Sequence, residues 1–281
     1  MEDGQPSFTA LTAAAARVAH LIVDDEPRIF ADTLAAALLG DRAEELVSFH
    51  KLHGTHPVLA GARVQVTCRS RYTEGALGRA GVTQYVVLGA GLDSFAYRAG
   101  PAGRIRVFEV DHPATQHWKR RALATARIPV PEGVTFVAAD LTSDSLAGRL
   151  AAAGFDAASP ALVSWLGVTM YLTPGAIAQT MAAVGGFAPG SELIADYMLP
   201  EEMRDEAGAV YGTLVAQAAA ERGEPWLSFF APEEMTDLGR EAGFARVHNV
   251  RQRDTVPGEL WARADSLRPA DLAMLFHGVI R

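Results

Sequence analysis

The stretch "QYVVLGAGLDSFAYR", residues 84–98, contains the features that decide the fold. An apolar run ends at Gly89, and Gly-Ala-Gly is followed at once by Asp93. A parallel strand that turns sharply into a helix favours residues without a Cβ, because they accept unusual backbone angles and let a ligand approach the main chain. The stretch therefore predicts a buried strand whose carboxyl end forms part of a ligand-binding crevice.

A repeating pattern of apolar runs and helical stretches surrounds this turn. The apolar runs lie at 84–89, 105–110, 134–139, 161–165 and 192–196, with two further strand candidates around 245–250 and 273–280. The helical stretches between them lie at 113–126, 145–153 and 174–186. Strands that alternate with helices are typical of an α/β fold with a parallel sheet, and continuously apolar runs indicate strands buried on both faces.

Helix-forming segments flank the predicted sheet on both sides in the sequence. Residues 9–22, 29–39 and 62–80 are rich in helix-favouring residues and precede the first strand. Residues 199–224 and 231–244 follow the fifth strand, and both are predicted to be helical. The segment after the fifth strand is expected to lie over the crevice as a lid.

The composition excludes several classes of function. The chain of 281 residues has a net charge of −8 and shows no basic block interleaved with aromatics, so nucleic acid is not expected as a partner. A single cysteine, Cys68, allows no internal disulfide and makes a cysteine-based metal site implausible, so no metal is predicted. No stretch has the length and apolarity of a signal peptide or a membrane span, and we expect a cytoplasmic protein without membrane contact.

Acidic residues follow the second and third predicted strands. Asp111 comes 20 residues after Gly91, and its carboxylate can accept hydrogen bonds from ribose hydroxyls. Asp140, followed by Leu141, can accept from an adenine amino group, although a helix N-cap is an equally ordinary role for an Asp there. Glu109 is two residues earlier in the same strand and is expected to lie deeper or to be turned differently. The ordered set predicts a pocket for an adenosine.

The residue after the glycine turn indicates what the adenosine carries. Asp93 would repel a diphosphate but suits an ammonium or a sulfonium. The third glycine of a dinucleotide-binding turn is absent, because position 94 is Ser. These two features favour S-adenosylmethionine over NAD or ATP.

The chain resembles the bacterial branch of the leucine carboxyl methyltransferase family, whose members are class I S-adenosylmethionine-dependent methyltransferases and include polyketide O-methyltransferases. The resemblance rests on "LTAAAARVAHLIVDDEPRIFADTLA", "CRSRYTEGAL", "VVLGAGLDSFAYR", "FEVDHPATQHWKR", "VAADL" and "SWLGVTMYLTPGAI", in the order of the family. It implies an α/β, Rossmann-like fold with a seven-stranded, mostly parallel sheet, an N-terminal helical cap and a helical lid inserted after the fifth strand.

This resemblance also implies one methyltransferase domain over residues 1–281. Its parts are the cap (1–81), the cofactor-binding core (82–198), the lid (199–235) and the C-terminal strands (236–281).

Several cofactor contacts follow from the resemblance. Arg69 is expected to bind the cofactor's carboxylate, with Arg71 as a second candidate. The remaining predicted cofactor-binding residues are Gly89, Ala90, Gly91, Asp93, Asp111, Asp140 and Leu141. The family often has a Glu just before the Gly-x-x-x-Tyr segment, and this chain has Leu166 there, so one expected contact is missing.

The acceptor is predicted to be a small molecule with a carboxyl or hydroxyl oxygen, typical of secondary metabolism. A carboxylate needs no general base, whereas a hydroxyl does, and Tyr171 and His112 are the candidates near the crevice. We expect His50, His53 and His56 to lie in the loop before the first strand, with His53 and His56 in contact with solvent. The predicted apolar wall of the lid consists of Met198, Met203, Tyr211, Trp226, Phe229 and Phe230.

Two other functions stay open at this stage. One is an NAD-dependent oxidoreductase, against which Asp93 and the missing glycine argue. The other is a non-catalytic protein that keeps the fold, for which Leu166 gives some support. A monomer and a homodimer are both compatible with the sequence.

Overall fold

Seven strands form a single sheet in the computed structural model, which describes residues 7–98 and 105–281. The strands are β1 (Gln84–Leu88), β2 (Arg106–Asp111), β3 (Val134–Ala138), β4 (Ala161–Trp165), β5 (Glu192–Met198), β6 (Phe244–Arg251) and β7 (Ala273–Ile280). Their order is β3-β2-β1-β4-β5-β7-β6, and β7 runs antiparallel to both of its neighbours. The predicted seven-stranded, mostly parallel sheet is confirmed.

The chain reverses its direction of travel across the sheet between β1 and β4. Strand β1 pairs in parallel with β2 on one side and with β4 on the other. In open α/β sheets such a reversal opens a crevice at the carboxyl ends of the strands, where ligands bind. The glycine turn that follows β1 therefore lies at this crevice.

Helices surround the sheet. They are α1 (Phe8–Val23), α2 (Ala35–Leu39), α3 (Ala43–His53), α4 (Pro57–Ala80), α5 (Phe95–Arg98), α6 (Pro113–Thr125), α7 (Leu146–Ala152), α8 (Pro174–Gly185), α9 (Glu206–Ala220) and α10 (Pro232–Glu241). Short 3-10 turns occur at Gly40–Arg42, Thr169–Tyr171, Glu201–Met203, Gln252–Asp254 and Gly258–Trp261. In the part of the chain that the structure describes, no helix combines the length and apolarity needed to cross a bilayer.

Alternation along β1 shows how both faces of the sheet are buried. Val86 and Leu88 belong to one apolar cluster, which also contains residues of α7, α8 and α10. Tyr85 and Val87 belong to a second cluster with residues of α4 and α5. The continuous apolar run of β1 is therefore a consequence of helices on both faces.

The predicted helix over 29–39 is wrong in its first half. Only Ala35–Leu39 is helical, because the buried Asp32 carboxylate accepts hydrogen bonds from the amides of Leu34 and Ala35, both at 3.1 Å, and ends the irregular segment there. The same carboxylate accepts from Arg17 Nε at 2.8 Å and Ser94 Oγ at 2.6 Å. Side-chain hydrogen bonds of Asp32 thus attach this segment to the turn after β1. A helical pattern in the sequence does not indicate such an attachment.

Two other helix boundaries also differ from the prediction. Helix α4 begins at Pro57 rather than at residue 62, since the His56 side chain caps it and proline is favourable in the first turn. The predicted helix at 199–224 is divided into the turn Glu201–Met203 and helix α9, which Asp205 caps by accepting from the Gly208 amide at 2.7 Å.

Candidate cofactor and acceptor site

A cavity of about 780 Å³ lies at the carboxyl ends of the central strands. Helices α1 and α4 supply one part of its wall, the loops after β1–β4 supply the floor, and α9 with the segment after it supplies the rest. Among the predicted cofactor residues, the cavity wall includes Arg69, Gly89, Ala90, Gly91, Asp93, Asp111, Asp140 and Leu141. The structure therefore brings together all but one of them.

The glycine turn after β1 has the backbone conformation that its sequence predicts. Gly89 and Gly91 have φ angles of 63° and 44°, in the region that residues with a Cβ seldom adopt. A Cβ on Gly89 would also lie 2.3 Å from Cγ2 of Val168. Both conformation and space therefore require glycine at position 89.

Asp111 connects the tip of β2 to the glycine turn. Its Oδ2 accepts from the Gly91 amide at 2.5 Å, and its Oδ1 accepts from the His112 amide at 2.7 Å. Burial raises the pKa of Asp111, although these two amide donors oppose the effect. A carboxylate has further lone pairs, so it can still accept from a vicinal diol in the cavity.

Asp140 forms a local turn after β3 and does not cap a helix. Its Oδ1 accepts from the Thr142 amide at 2.8 Å and from Thr142 Oγ1 at 2.6 Å. These hydrogen bonds hold the pKa of Asp140 below its usual range. The next helix, α7, is capped by Ser145 instead, so the N-cap role considered for Asp140 is excluded.

Asp93 and Glu109 illustrate two opposite environments. Asp93 lines the cavity, and its Oδ1 accepts from the Phe95 amide at 2.9 Å. Glu109 is buried behind the site, where its Oε2 lies 2.7 Å from Nζ of the equally buried Lys119. The prediction that Glu109 points away from the ligand is consistent with this pairing.

Arg69 lies at the cavity wall and is held by Asp196 of β5. Arg69 Nη1 donates to Asp196 Oδ2 at 2.7 Å, and the other carboxylate oxygen accepts from the Gly167 amide at 2.6 Å. Asp196 is almost fully buried, and it follows Ala195, the partner of Trp165 in the β4–β5 register. Leu166, which stands where the family often has Glu, therefore has a carboxylate beside it on the neighbouring strand.

Arg71 does not reach the cavity, and its assignment as a second candidate is corrected. It lies two residues after Arg69 on α4, and two residues of an α-helix turn the side chain about 200° around the axis. Its Nη1 donates to the Ile29 carbonyl at 2.8 Å. Arg71 therefore fixes the segment before α2 and does not face a ligand.

The lid end of the cavity is formed by Met170, Tyr171, Met198, Tyr211, Glu224, Trp226 and Leu227. Burial raises the pKa of Tyr171, and it raises the pKa of Tyr211 to about 12. Both phenols therefore keep their protons at neutral pH.

Half of the predicted lid wall is wrong. Met198, Tyr211 and Trp226 line the cavity, whereas Met203, Phe229 and Phe230 do not. The first two of these are exposed, and Phe230 packs into the main apolar cluster. The 3-10 turn after β5 and the extended chain before α10 determine where these side chains point. Because neither segment is an α-helix, a helical pattern in the sequence cannot predict their orientation.

The histidine predictions have mixed outcomes. His112 lines the cavity, and its Nδ1 accepts from the Ala114 amide at 3.3 Å as the N-cap of α6. His53 is the last residue of α3 and His56 caps α4, and both are exposed at the short turn between the helices, as predicted. His50 is instead buried within α3, so its predicted loop position is wrong. Burial and the neighbouring Arg63 lower the pKa of His50 to about 4, which makes it a neutral structural group.

Three cavity residues had no signal in the sequence. Arg17 donates to the Leu92 carbonyl at 2.8 Å and pairs with Asp32, while Gln65 and Glu224 line the cavity from α4 and from the segment after α9. Each lies in a helical or polar stretch in which several residues could equally well face the cavity. Over the described ranges, no three His, Cys, Asp or Glu residues are grouped so that they could hold a metal.

Comparison with known families gives a match over most of this site. A family model described as leucine carboxyl methyltransferase matches residues 10–185. The chain is 28% identical to a Bacillus subtilis protein named "Putative S-adenosyl-L-methionine-dependent methyltransferase YktD", with 99% of each chain covered. It is 30% identical to a Streptomyces coelicolor protein with the same description, SCO6443, with 95% of each covered.

Solved structures share the fold. The chain is similar to a methyltransferase structure from Thermobifida fusca, itself described as putative, with a TM-score of 0.63 and 18% identity over 100% of this chain and 97% of that one. A DUF574 family protein from Streptomyces avermitilis gives a TM-score of 0.62 and 17% identity, with 95% and 97% covered. At these identities the likeness concerns the fold alone.

Proposed function

Because the chain belongs to the leucine carboxyl methyltransferase family, as its motifs predicted, we propose that it methylates a carboxyl or hydroxyl oxygen of a small molecule. Methyl transfer with S-adenosylmethionine as cofactor is the activity that goes with the family. The oxygen acceptor, its small size and a role in secondary metabolism are the proposal.

The charge of the cavity wall is the observation that carries the cofactor assignment. Asp93, Asp111, Asp140 and Glu224 are its acidic side chains among the described residues. The two arginines of the same wall form ion pairs with buried aspartates, Arg17 with Asp32 and Arg69 with Asp196. Carboxylates without a free cation attract a sulfonium and an ammonium and repel a diphosphate, which disfavours the NAD-dependent alternative.

The positions of the carboxylates fit an adenosine with a methionine tail. Asp111 is available to ribose hydroxyls at the tip of β2, and Asp140 with Leu141 lies next to it at the tip of β3. The open backbone of Gly89 and Gly91 leaves room for the tail to lie against the chain. Arg69 has further N–H groups that can donate to the carboxylate of the tail while Asp196 fixes its guanidinium.

When bound, the cofactor supplies a methyl group on a positively charged sulfur. The residues of this chain then have to hold the acceptor oxygen in line with that methyl group, and such orientation supplies several kcal/mol of the rate enhancement. Tyr171 lies beside this region with its proton retained, so it acts as a hydrogen-bond donor to the acceptor and not as a base. His112 is the other candidate, and its Nδ1 already accepts from the Ala114 amide. A carboxylate acceptor has no proton to lose, whereas a hydroxyl acceptor would release its proton to solvent water as the sulfonium becomes a thioether.

The product S-adenosylhomocysteine is expected to bind more weakly than S-adenosylmethionine. S-adenosylhomocysteine lacks the positive charge on sulfur, so the acidic wall attracts it less.

The volume of the cavity supports a small acceptor, because about 780 Å³ has to contain both the cofactor and the acceptor.

A transfer assay with methyl-labelled S-adenosylmethionine and a panel of small carboxylic acids, phenols and enols tests the proposal. We expect label in at least one product at an ester or ether methyl, located by NMR, and none with Asp111→Ala. Transfer to nitrogen or carbon would contradict the oxygen acceptor. Cofactor binding without transfer to any member would favour the non-catalytic alternative.

A further inference from the structure

The lid end of the cavity is an aromatic and thioether surface. Tyr171, Tyr211 and Trp226 pack against one apolar cluster that contains Met170 and Met198. All five residues also line the cavity. Electron-rich ring faces and thioethers contact the organic part of a ligand and attract a cation placed over them.

One polar atom of this surface has no partner. Glu224 Oε2 is shielded from solvent and makes no hydrogen bond with the described residues. A buried polar group without a partner destabilises the protein, and a charged one does so more strongly. Such groups at a cavity wall indicate a ligand that supplies the missing partners, and Glu224 needs a donor.

No cation of the described cavity wall is free to be that donor. Arg17 and Arg69 are paired with Asp32 and Asp196, each at 2.7–2.8 Å. His112 lies at the strand-tip end, beside Asp111, and not at the lid. Glu224 therefore faces the acceptor region as an uncompensated carboxylate.

A carboxylate next to aromatic rings is the chemistry that recognises an ammonium group. We propose that the methyl acceptor carries a protonated amine, which binds at the lid end between Glu224 and the rings of Trp226, Tyr171 and Tyr211. This inference rests on the proposed function, since it describes the acceptor of the same site. The methylated oxygen is a separate group of that molecule and lies toward the strand tips.

The same surface disfavours an acceptor that carries a second, free carboxylate. A carboxylate near Glu224 would add repulsion without a cation to compensate it, and its desolvation would cost further free energy. Glu224 is thus the residue expected to discriminate by charge, while the rings discriminate by shape.

Three phenols of similar size and different charge provide the test: tyramine, tyrosol and 4-hydroxyphenylacetate. Their affinities are measured by titration calorimetry on the full chain saturated with S-adenosylhomocysteine. We expect tyramine to bind best and 4-hydroxyphenylacetate worst, with roughly a tenfold ratio or more between them. In Glu224→Gln that ratio should fall to within about threefold, because the charge is removed while the shape is kept.

Glu221→Gln is the matched control, since Glu221 is an exposed carboxylate three residues upstream whose side chain accepts from Gln217. It should keep the ratio of the unmodified protein. Equal or better binding of 4-hydroxyphenylacetate, no binding of any of the three phenols, or an unchanged ratio in Glu224→Gln would each overturn the inference.

The cofactor titration separates this failure from failure of the proposed function. If S-adenosylhomocysteine itself does not bind, the proposed function fails and this inference fails with it. If it binds and the three phenols show no dependence on charge, only the inference about the amine is wrong.

Discussion

The two ends of the cavity differ in how their polar groups are satisfied. At the strand-tip end, Asp93, Asp111 and Asp140 each accept hydrogen bonds from backbone amides close by. At the lid end, Glu224 Oε2 has no partner among the residues that the structure describes. A site whose donors and acceptors are fixed by its own backbone is organised before the ligand arrives, whereas the lid end is completed by its ligand. Cofactor binding should therefore respond to changes at the strand tips, and acceptor binding to changes at the lid.

The largest expected effect comes from Gly89→Ala. The new Cβ would meet Val168 Cγ2 at 2.3 Å on a backbone with φ of 63°, so the turn has to shift. We expect affinity for S-adenosylmethionine to fall roughly 100-fold by calorimetry, equivalent to about 2.7 kcal/mol. Gly81→Ala is the control, because Gly81 has φ of 65° but open space around its Cβ position. It should reduce stability by about 1 kcal/mol and leave cofactor affinity unchanged.

The next effect in size is expected from Asp196→Asn. This change leaves Arg69 without its ion-pair partner, so the guanidinium loses the orientation that presents it to the cofactor carboxylate. Loss of one charged hydrogen bond corresponds to about 1.5–3 kcal/mol, which is roughly 10- to 100-fold in cofactor affinity. Glu192→Gln changes a carboxylate at the opposite end of the same strand and should have no effect on that affinity. Equal effects of the two changes would show that Arg69 does not depend on Asp196.

A smaller effect is expected from pH. Burial raises the pKa of Asp111, and only its ionised form accepts from both ribose hydroxyls. Protonation as the pH falls through that raised pKa removes this acceptor, so cofactor affinity should decrease on the acid side and level off above it. The decrease approaches about tenfold per pH unit well below the pKa. In Asp111→Asn the pH dependence should disappear; if it persists, another group is responsible.

The smallest effect is expected at the lid end, from Tyr171→Phe. The phenol keeps its proton, so the change removes one neutral hydrogen-bond donor, worth about 0.5–1.5 kcal/mol. Acceptor affinity should fall about 3- to 10-fold, with cofactor affinity unchanged. A larger loss of cofactor affinity than of acceptor affinity would remove the distinction between the two ends.

The same difference explains what could be predicted from the sequence. The positions of Asp111 and Asp140 at the cavity were predictable because strand ends, glycines and acids follow one another in a fixed order along the chain. Asp196 and Glu224 were not, since the role of Asp196 depends on its contact with Arg69 on α4, and that of Glu224 on where the irregular segment after α9 packs. Arg71 was misassigned because a pair of arginines on one helix looks equivalent until the direction of the helix face is known.

The lid and the cap were less predictable than the sheet for a related reason. Burial on both faces of the sheet imposes a continuous apolar run on central strands such as β1 and β4, and all seven strands lie close to their predicted positions. The segment 24–34 is instead held by charged side chains such as Asp24, Asp32 and Arg63, whose partners cannot be read from periodicity. Met203 and Phe229 were assigned to the wrong side for the same reason, because an irregular segment has no repeating face.

Titration calorimetry with S-adenosylmethionine and, separately, with NAD tests most directly whether the strand tips hold a sulfonium cofactor. The account predicts heat of binding for S-adenosylmethionine only, with affinity lowered by about 1–3 kcal/mol in both Asp111→Ala and Arg69→Ala. Binding of NAD alone, or affinity for S-adenosylmethionine that is unchanged in both variants, would contradict it.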